Sequence, residues 1–183
     1  MKYFFAGIEG SGMAALASML HDMGNTVIGC DDAKVYSFTL SELEKRNIPV
    51  YKDAEKLEKD MIFVYTAAIH EDHYAYKKAK ELGCIMYGYY EMVGELTKKF
   101  DTICVSGTHG KTTTTAMLSN ILKNTVKTNY LIGDGTGVVD KDSNNFVVES
   151  CEFERHFLSY YPKYTIITNI FYDHVDCYKN IDE

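Results

Sequence analysis

The sequence predicts an α/β architecture: a Rossmann-like parallel-sheet unit over residues 1–97, followed by a P-loop ATPase-like α/β unit over residues 98–183. Three observations carry that prediction. Short apolar runs rich in β-branched and aromatic residues alternate with segments of helical apolar spacing. Two glycine-rich stretches, 7–12 and 107–110, each stand between a strand-like run and a helix-like one. No Pro-, Gly- or Ser-rich linker separates the units near Thr97 to Asp101, so they are expected to pack on each other.

In chain order, Lys2 to Gly7 reads as a buried strand, and Met13 to Met23 as a helix closed by Gly24. Thr26 to Asp31 is a second strand, ending in an acid 24 residues after Gly7. This βαβ opening with a glycine turn is the phosphate-binding half of a Rossmann-like sheet. The dinucleotide fingerprint wants glycine at position 9, where Glu9 stands. NAD binding and a purely structural tight turn both stay open on these residues alone. Ser37 to Arg46 reads as a helix, Pro49-Val50-Tyr51 as a short strand and Met61 to Tyr65 as a longer one. A further helix is expected from Asp72 to Leu82, capped by Asp72, before the strand Cys84 to Tyr87 and a last helix Glu91 to Lys99. A parallel sheet opens its ligand crevice at the strands' C-terminal ends, which would bring Gly7, Gly10, Ser11, Gly12, Asp31 and Ala68 together. His70 and His73 are expected to be solvated loop histidines.

The second unit opens with Ile103-Cys104-Val105-Ser106-Gly107-Thr108-His109-Gly110-Lys111-Thr112-Thr113-Thr114-Thr115. Glycines let backbone N–H groups turn inward, and a helix N-terminus adds partial positive charge, so strand, loop and helix together cradle phosphates. Gly107, Thr108, His109, Gly110, Lys111, Thr112 and Thr113 are the candidate nucleotide contacts. Lys111 would reach the β/γ-phosphates, and the Thr112 hydroxyl would face Mg²⁺. The strict pattern wants glycine five residues before Gly110, where Val105 stands, so the loop is a shortened version. The alternative is a polar turn whose threonines cap a helix. Asn129 to Ile132 leads into Gly133 to Gly137, expected to be a flexible connection. Phe146 to Glu152 and Tyr164 to Ile170 are expected strands, each running into polar residues. Glu152 and His174 would thus flank the phosphates as candidate metal ligands. Imidazole is an unusual partner for Mg²⁺, and a solvated carboxylate and a turn histidine explain the spacing equally well.

Composition narrows the classes. Lys and Arg number 19 against 26 Asp and Glu, a net charge of −7 with no basic half, which argues against nucleic acid as partner. No apolar run approaches a bilayer span, and Met1-Lys2 leads straight into a strand, so a cytoplasmic protein is expected. The five cysteines form no C-x-x-C pair and read as reduced structural thiols. Cys151, between Glu149 and Glu152, has its thiolate disfavoured by those acids and is a poor nucleophile.

Gly107 to Thr115 resembles the ATP-binding loop of the Mur ligases of peptidoglycan synthesis. Gly7-Ile8-Glu9-Gly10-Ser11-Gly12-Met13, Tyr36-Ser37-Phe38-Thr39, Ile132-Gly133-Asp134-Gly135-Thr136-Gly137, Glu149-Ser150-Cys151-Glu152 with His156-Phe157, and Asn169-Ile170 with Asp173-His174-Val175-Asp176 extend the resemblance in order. It covers essentially the whole chain and points to the members that join L-alanine to UDP-N-acetylmuramate. The resemblance implies that the first unit holds the UDP-sugar, and that the second binds ATP and Mg²⁺ with Lys111, Thr112, Glu152 and His174. The sugar-acid carboxylate would be activated as an acyl phosphate and attacked by the amine of L-alanine. It also implies that the second unit is partial, because the family continues beyond the equivalent of Glu183. A chain of this extent is expected to bind UDP-sugar, to bind ATP feebly and not to ligate. Rival readings are a non-catalytic UDP-sugar or nucleotide-binding module, another Mur-type amide ligase, and an NAD-dependent oxidoreductase.

Overall fold

The computed structural model describes residues 1–33 and 37–182; Tyr36 and Glu183 lie outside them. The first unit has the order β1 (Lys2–Ala6), α1 (Ser11–Asp22), β2 (Thr26–Cys30), α2 (Phe38–Lys45), β3 (Val50–Tyr51), β4 (Ile62–Tyr65), α3 (Tyr74–Leu82), β5 (Ile85–Gly88) and α4 (Tyr89–Thr97). Its strands form a parallel five-stranded sheet in the order β3-β2-β1-β4-β5. Phe4, Phe5, Phe63 and Val64 on the central strands are fully buried, as expected where both faces are covered. The face under α1 is closed by Met13 to Leu20, all buried.

The second unit runs β6 (Asp101–Ser106), α5 (Lys111–Lys123), β7 (Asn129–Leu131), β8 (Gly137–Val138), β9 (Asn145–Glu149), a 3₁₀ segment (Phe153–Ser159) and β10 (Tyr164–Ile167). The sheet order is β10-β6-β9-β7-β8, parallel except for β8 against β7. In register, Val105 lies beside Glu149 and Ser106 beside Ile167, so the segments after β6, β9 and β10 leave the sheet at one level.

Several local expectations are corrected. The cap of α3 is His73, not Asp72: its Nδ1 accepts the Ala75 N–H at 3.2 Å, and its Nε2 lies 3.5 Å from Asp32. It is therefore not a solvated loop histidine. Residues 133–137 are not a flexible connection but the turn of an antiparallel hairpin packed on α1. A Cβ on Gly137 would stand 2.7 Å from the Ala15 carbonyl. The strand through Phe146 stops at Glu149, and that through Tyr164 stops at Ile167, so Glu152 and Asn169 lie in the segments that follow. The two sheets meet where α4 crosses the 3₁₀ segment, a contact so close that a Cβ on Gly94 would collide with the Ser159 carbonyl.

Candidate active site

The shortened loop leaves β6 at Gly107, whose φ is +130°, and enters α5 from Gly110, whose φ of +80° is left-handed. A side chain at 107 would collide with the Thr168 hydroxyl, so glycine there lets the segment after β10 close over the loop. That closure is made of hydrogen bonds. Asn169 accepts the Thr108 N–H on its carbonyl (3.2 Å) and the His109 N–H on Oδ1 (3.1 Å), while its Nδ2 donates to the His109 carbonyl (2.9 Å). The Thr108 hydroxyl donates to the Phe171 carbonyl (3.1 Å) and accepts its N–H (2.9 Å). The Thr108 and His109 amides are thus engaged. The first turn of α5, at Lys111, Thr112 and Thr113, carries the amides that a helix leaves without internal acceptors.

Lys111 is mostly buried, with 14% of its side chain exposed. Its ammonium donates to the carbonyls of Gly107 (2.6 Å) and Thr108 (3.1 Å), and lies 3.0 Å from both carboxylate oxygens of Glu152. Glu152 Oε2 is buried and accepts no hydrogen bond; the lysine holds it by charge alone. His174 Nε2 lies 3.4 Å from Glu152 Oε1. Its backbone φ of +50° is uncommon for a residue with a side chain and marks a locally constrained position. Tyr178 fixes the Glu152 backbone by donating to its carbonyl at 2.6 Å. Lys111, Glu152 and His174, from three different segments, therefore form one cluster.

Thr112 stands apart from that trio. Its hydroxyl donates to Glu149 Oε1 at 3.1 Å, and Glu149 Oε2 accepts the Gly133 N–H at 2.9 Å. Thr112 and Thr113 are exposed, whereas Thr115 is buried and bonds back to the Lys111 carbonyl at 2.8 Å, a helix contact and not a ligand position. Glu149 and Asn169 were missing from the sequence-derived site. A polar residue at or just past a strand's C-terminal end beside the glycine loop is the signal that marks both.

Among the described residues no group of three or more His, Cys, Asp or Glu is arranged to hold a metal ion. Magnesium, however, takes one or two protein carboxylates and completes its shell with phosphate oxygens and waters. The unbonded Oε2 of Glu152 fits one place in such a partial oxygen set, while the Thr112 hydroxyl is turned to Glu149. The imidazole of His174 is the softer, weaker donor. The pKa of the Cys151 thiol is raised, chiefly by burial and also by Glu152 and Glu149, against the opposing pull of the Phe153 N–H and of Lys111, which disfavours the nucleophilic thiolate.

In the first unit, Gly7 has φ +77°, and a Cβ there would stand 2.6 Å from Thr66 Cγ2. A cavity of about 310 Å³ at the strand ends is lined by Gly7, Gly10, Asp31, Thr66, Ala68 and Tyr74, among others. Asp31 does not point freely into it. Its Oδ2 accepts the Glu9 N–H (2.8 Å) and its Oδ1 the Ala33 N–H (2.9 Å). Glu9 is itself buried, its carboxylate turned to the Ser37 hydroxyl at 3.0 Å. Ser11 and Gly12 face the other way: Ser11 lies against Gly135 of the hairpin turn, and a Cβ on Gly12 would stand 3.0 Å from the Tyr89 hydroxyl. The structure brings Gly7, Gly10, Asp31 and Ala68 around one cavity, and places Ser11 against the hairpin turn of the second unit and Gly12 against Tyr89 of α4.

A family model described as the Mur ligase family, catalytic domain, matches residues 2–101, and one described as the Mur ligase middle domain matches residues 105–183. The UDP-N-acetylmuramate--L-alanine ligase of Lacticaseibacillus casei is 44% identical over 182 residues, 99% of this chain and 42% of that protein. The chain thus spans about two fifths of that relative's length. Among solved structures, the Neisseria UDP-N-acetylmuramate:L-alanyl-gamma-D-glutamyl-meso-diaminopimelate ligase superposes with TM-score 0.84 at 27% identity, covering 99% of this chain and 64% of that one. The Thermotoga maritima UDP-N-acetylmuramate-alanine ligase superposes with TM-score 0.79 at 28% identity, covering 98% and 44%.

Proposed function

The chain belongs to the Mur ligase family, and from that premise we propose that it carries the UDP-sugar-binding unit and part of the ATP-binding unit of an enzyme joining L-alanine to UDP-N-acetylmuramate in peptidoglycan synthesis. The observation that supports this reading most is the cluster of Lys111, Glu152 and His174 beside a glycine loop and a helix N-terminus. Residues 1–97 take the UDP-sugar, with Gly7, Gly10, Asp31 and Ala68 at the cavity and Ser11 and Gly12 in the first turn of α1. Residues 98–183 take ATP through Gly107 to Thr113. The reaction is read as cytoplasmic because it consumes ATP, and among the described residues no helix is long and apolar enough to cross a membrane.

A carboxylate resists attack by an amine until one oxygen becomes a leaving group, so the γ-phosphoryl of ATP is passed to the sugar acid to form an acyl phosphate. The amine of L-alanine then displaces phosphate. Phosphoryl transfer needs positioning and charge neutralisation more than covalent help. Lys111 supplies the ammonium that offsets charge on the transferring group, exchanging its loop-carbonyl partners for phosphate oxygens. Glu152, Thr112 and His174 would hold Mg²⁺, which supplies Lewis-acid neutralisation of the phosphates when bound. Asn169 and Thr108 keep the loop closed.

The test is calorimetric titration of the 183-residue chain with UDP-N-acetylmuramate. Binding is expected in the wild type, abolished in Gly12→Asp and retained in Lys111→Ala; loss in both variants, or none in either, overturns the division of labour. Alanine-dependent phosphate release by this chain alone is expected to be absent. The superposition on the Neisseria peptide ligase favours a second reading, in which a peptide replaces L-alanine. Assaying the full-length protein with both acceptors separates the two.

A further inference from the structure

We propose that Glu9 is a positioning residue: its carboxylate, held on Ser37, fills the N-terminus of α2 and so leaves the N-terminus of α1 as the seat for the diphosphate of the UDP-sugar. The proposal rests on the reading of residues 1–97 as the UDP-sugar unit. Glu9 stands where a dinucleotide-binding turn has glycine, so its charge has to be accounted for at a site that takes an anion.

Two helices, α1 and α2, start beside this turn, and a helix N-terminus draws an anion whichever helix supplies it. They are capped differently. α1 starts from Gly10, which has no side chain to cap it. The Gly7 and Ile8 amides donate to the Cys30 carbonyl (2.9 and 3.2 Å), the Glu9 amide to Asp31 Oδ2 (2.8 Å) and the Gly10 amide to the Gly7 carbonyl (3.2 Å). Ser11, Gly12 and Met13, in the first turn of α1, therefore carry the amides left for a ligand. α2 starts from Ser37, whose Oγ accepts the Leu40 N–H (3.0 Å) and donates to Glu9 Oε2 (3.0 Å). The Thr39 hydroxyl donates to the Glu9 carbonyl at 2.6 Å, so Glu9 is tied to α2 through its backbone as well. An anion belonging to the chain is thus already in place at α2. Around the α1 seat the field is unfavourable to a second one: among the described residues lining the cavity at the strand ends there is no lysine or arginine, whereas Asp31 and Asp32 are both there. A diphosphate is then held by amides and a helix dipole against nearby carboxylates, and Ser37 serves it by keeping Glu9 at α2.

The test is calorimetric titration of the 183-residue chain with UDP, at low salt and at about 1 M KCl, where the screening length falls to about 3 Å. Glu9→Gln keeps an acceptor for Ser37 and removes the charge. It is expected to bind UDP about three- to tenfold more tightly than the wild type at low salt, and the gap should close at high salt. Ser37→Gly costs α2 little as a cap but releases the carboxylate. It should weaken UDP by a similar factor in the wild type and leave Glu9→Gln unchanged, because only a charged Glu9 can turn on the diphosphate. UDP affinity in Glu9→Gln equal to or below that of the wild type, a gap that salt does not narrow, or an equal loss from Ser37→Gly in both backgrounds overturns the proposal. A wild-type chain that gives no heat with UDP instead sinks the reading of the first unit, and the proposal falls with it. If Glu9→Gln does not fold, Ser37→Gly alone decides: its loss should vanish at high salt, and a loss that persists there overturns the proposal.

Discussion

The turn after β1 and the turn after β6 both lead from a buried parallel strand into a helix, and each is braced by a carboxylate from the end of the neighbouring strand. Asp31, just past β2, accepts two backbone amides, those of Glu9 and Ala33. Glu149, the last residue of β9, accepts one amide and one hydroxyl. Beyond that shared plan they diverge. The first turn runs into a helix buried from Met13 to Leu20, and the side chains about it are the acids Glu9 and Asp31. The second runs into Lys111 and the exposed Thr112 and Thr113. On the proposed function, one turn would work by leaving room for a ligand, the other by presenting charge to it. The first should then be most easily broken by added volume, and the second by a lost charge or a lost acceptor.

The largest effect that tests this contrast comes from one substitution made in both turns. Gly7 and Gly110 have nearly the same φ, +77° and +80°, so alanine is strained at either by roughly 1–2 kcal/mol. At Gly7 the new Cβ would also stand 2.6 Å from Thr66 Cγ2, whereas at Gly110 it meets nothing within 4 Å. Overpacking adds about 1–3 kcal/mol. Gly7→Ala is expected to lose about 3 kcal/mol in urea unfolding followed by circular dichroism, and Gly110→Ala about 1 kcal/mol. Equal losses would mean that crowding does not distinguish the turns.

A smaller effect probes the brace. Asp31→Asn leaves one of two amide donors without an acceptor, at a cost of about 1–3 kcal/mol. The same substitution should weaken UDP-N-acetylmuramate in the calorimetric titration, because the turn it shapes lines the cavity. An unchanged midpoint and affinity would mean that the Glu9 and Ala33 amides are satisfied in some other way.

The parts of this frame that could be read in the sequence are those with a local signal. Strand, glycine turn and helix stand in line at residues 2–22 and 101–123, whereas Glu152 and His174 are reached only through the resemblance to the Mur ligases. What could not be read depends on partners across the sheet. Nothing in the residues around Glu149 says that its carboxylate meets Thr112 and Gly133, because those contacts are set by the parallel pairing of β9 with β6 and β7. The hairpin strand β8 is two residues long, too short for any alternation to appear. Phe146 to Glu152 looks continuous, yet pairing stops at Glu149 as the chain turns into the 3₁₀ segment, two of whose residues, Glu154 and Arg155, have φ of +48° and +59°. His73 was misread because Asp72 is the commoner cap type, whereas the histidine is the residue that also reaches Asp32.

The smallest expected effect tests the seam that holds the two turns in one frame. His156, on the 3₁₀ segment that follows Glu152, stacks on Tyr90 of α4 with ring centroids 3.6 Å apart and planes 14° from parallel. Its Nδ1 is buried without a hydrogen-bond partner, and Glu154 is 3.5 Å from its Nε2. Burial lowers its pKa, and Glu154 opposes that only in part. The folded chain thus resists a proton that the unfolded chain accepts near pH 6.5. Well above that pH neither state is protonated and His156 costs nothing. As pH falls below about 6.5 the unfolded state takes up the proton first, so stability drops until the folded-state pKa is reached. His156→Phe keeps the stack and removes the titration, so the unfolding free energy of the variant should fall less between pH 7.5 and pH 5.5 than that of the wild type. The other five histidines are common to both chains and cancel in the difference. A steeper loss in the variant would mean that Glu154 outweighs burial, and that the seam is held by an ion pair instead of a neutral stack.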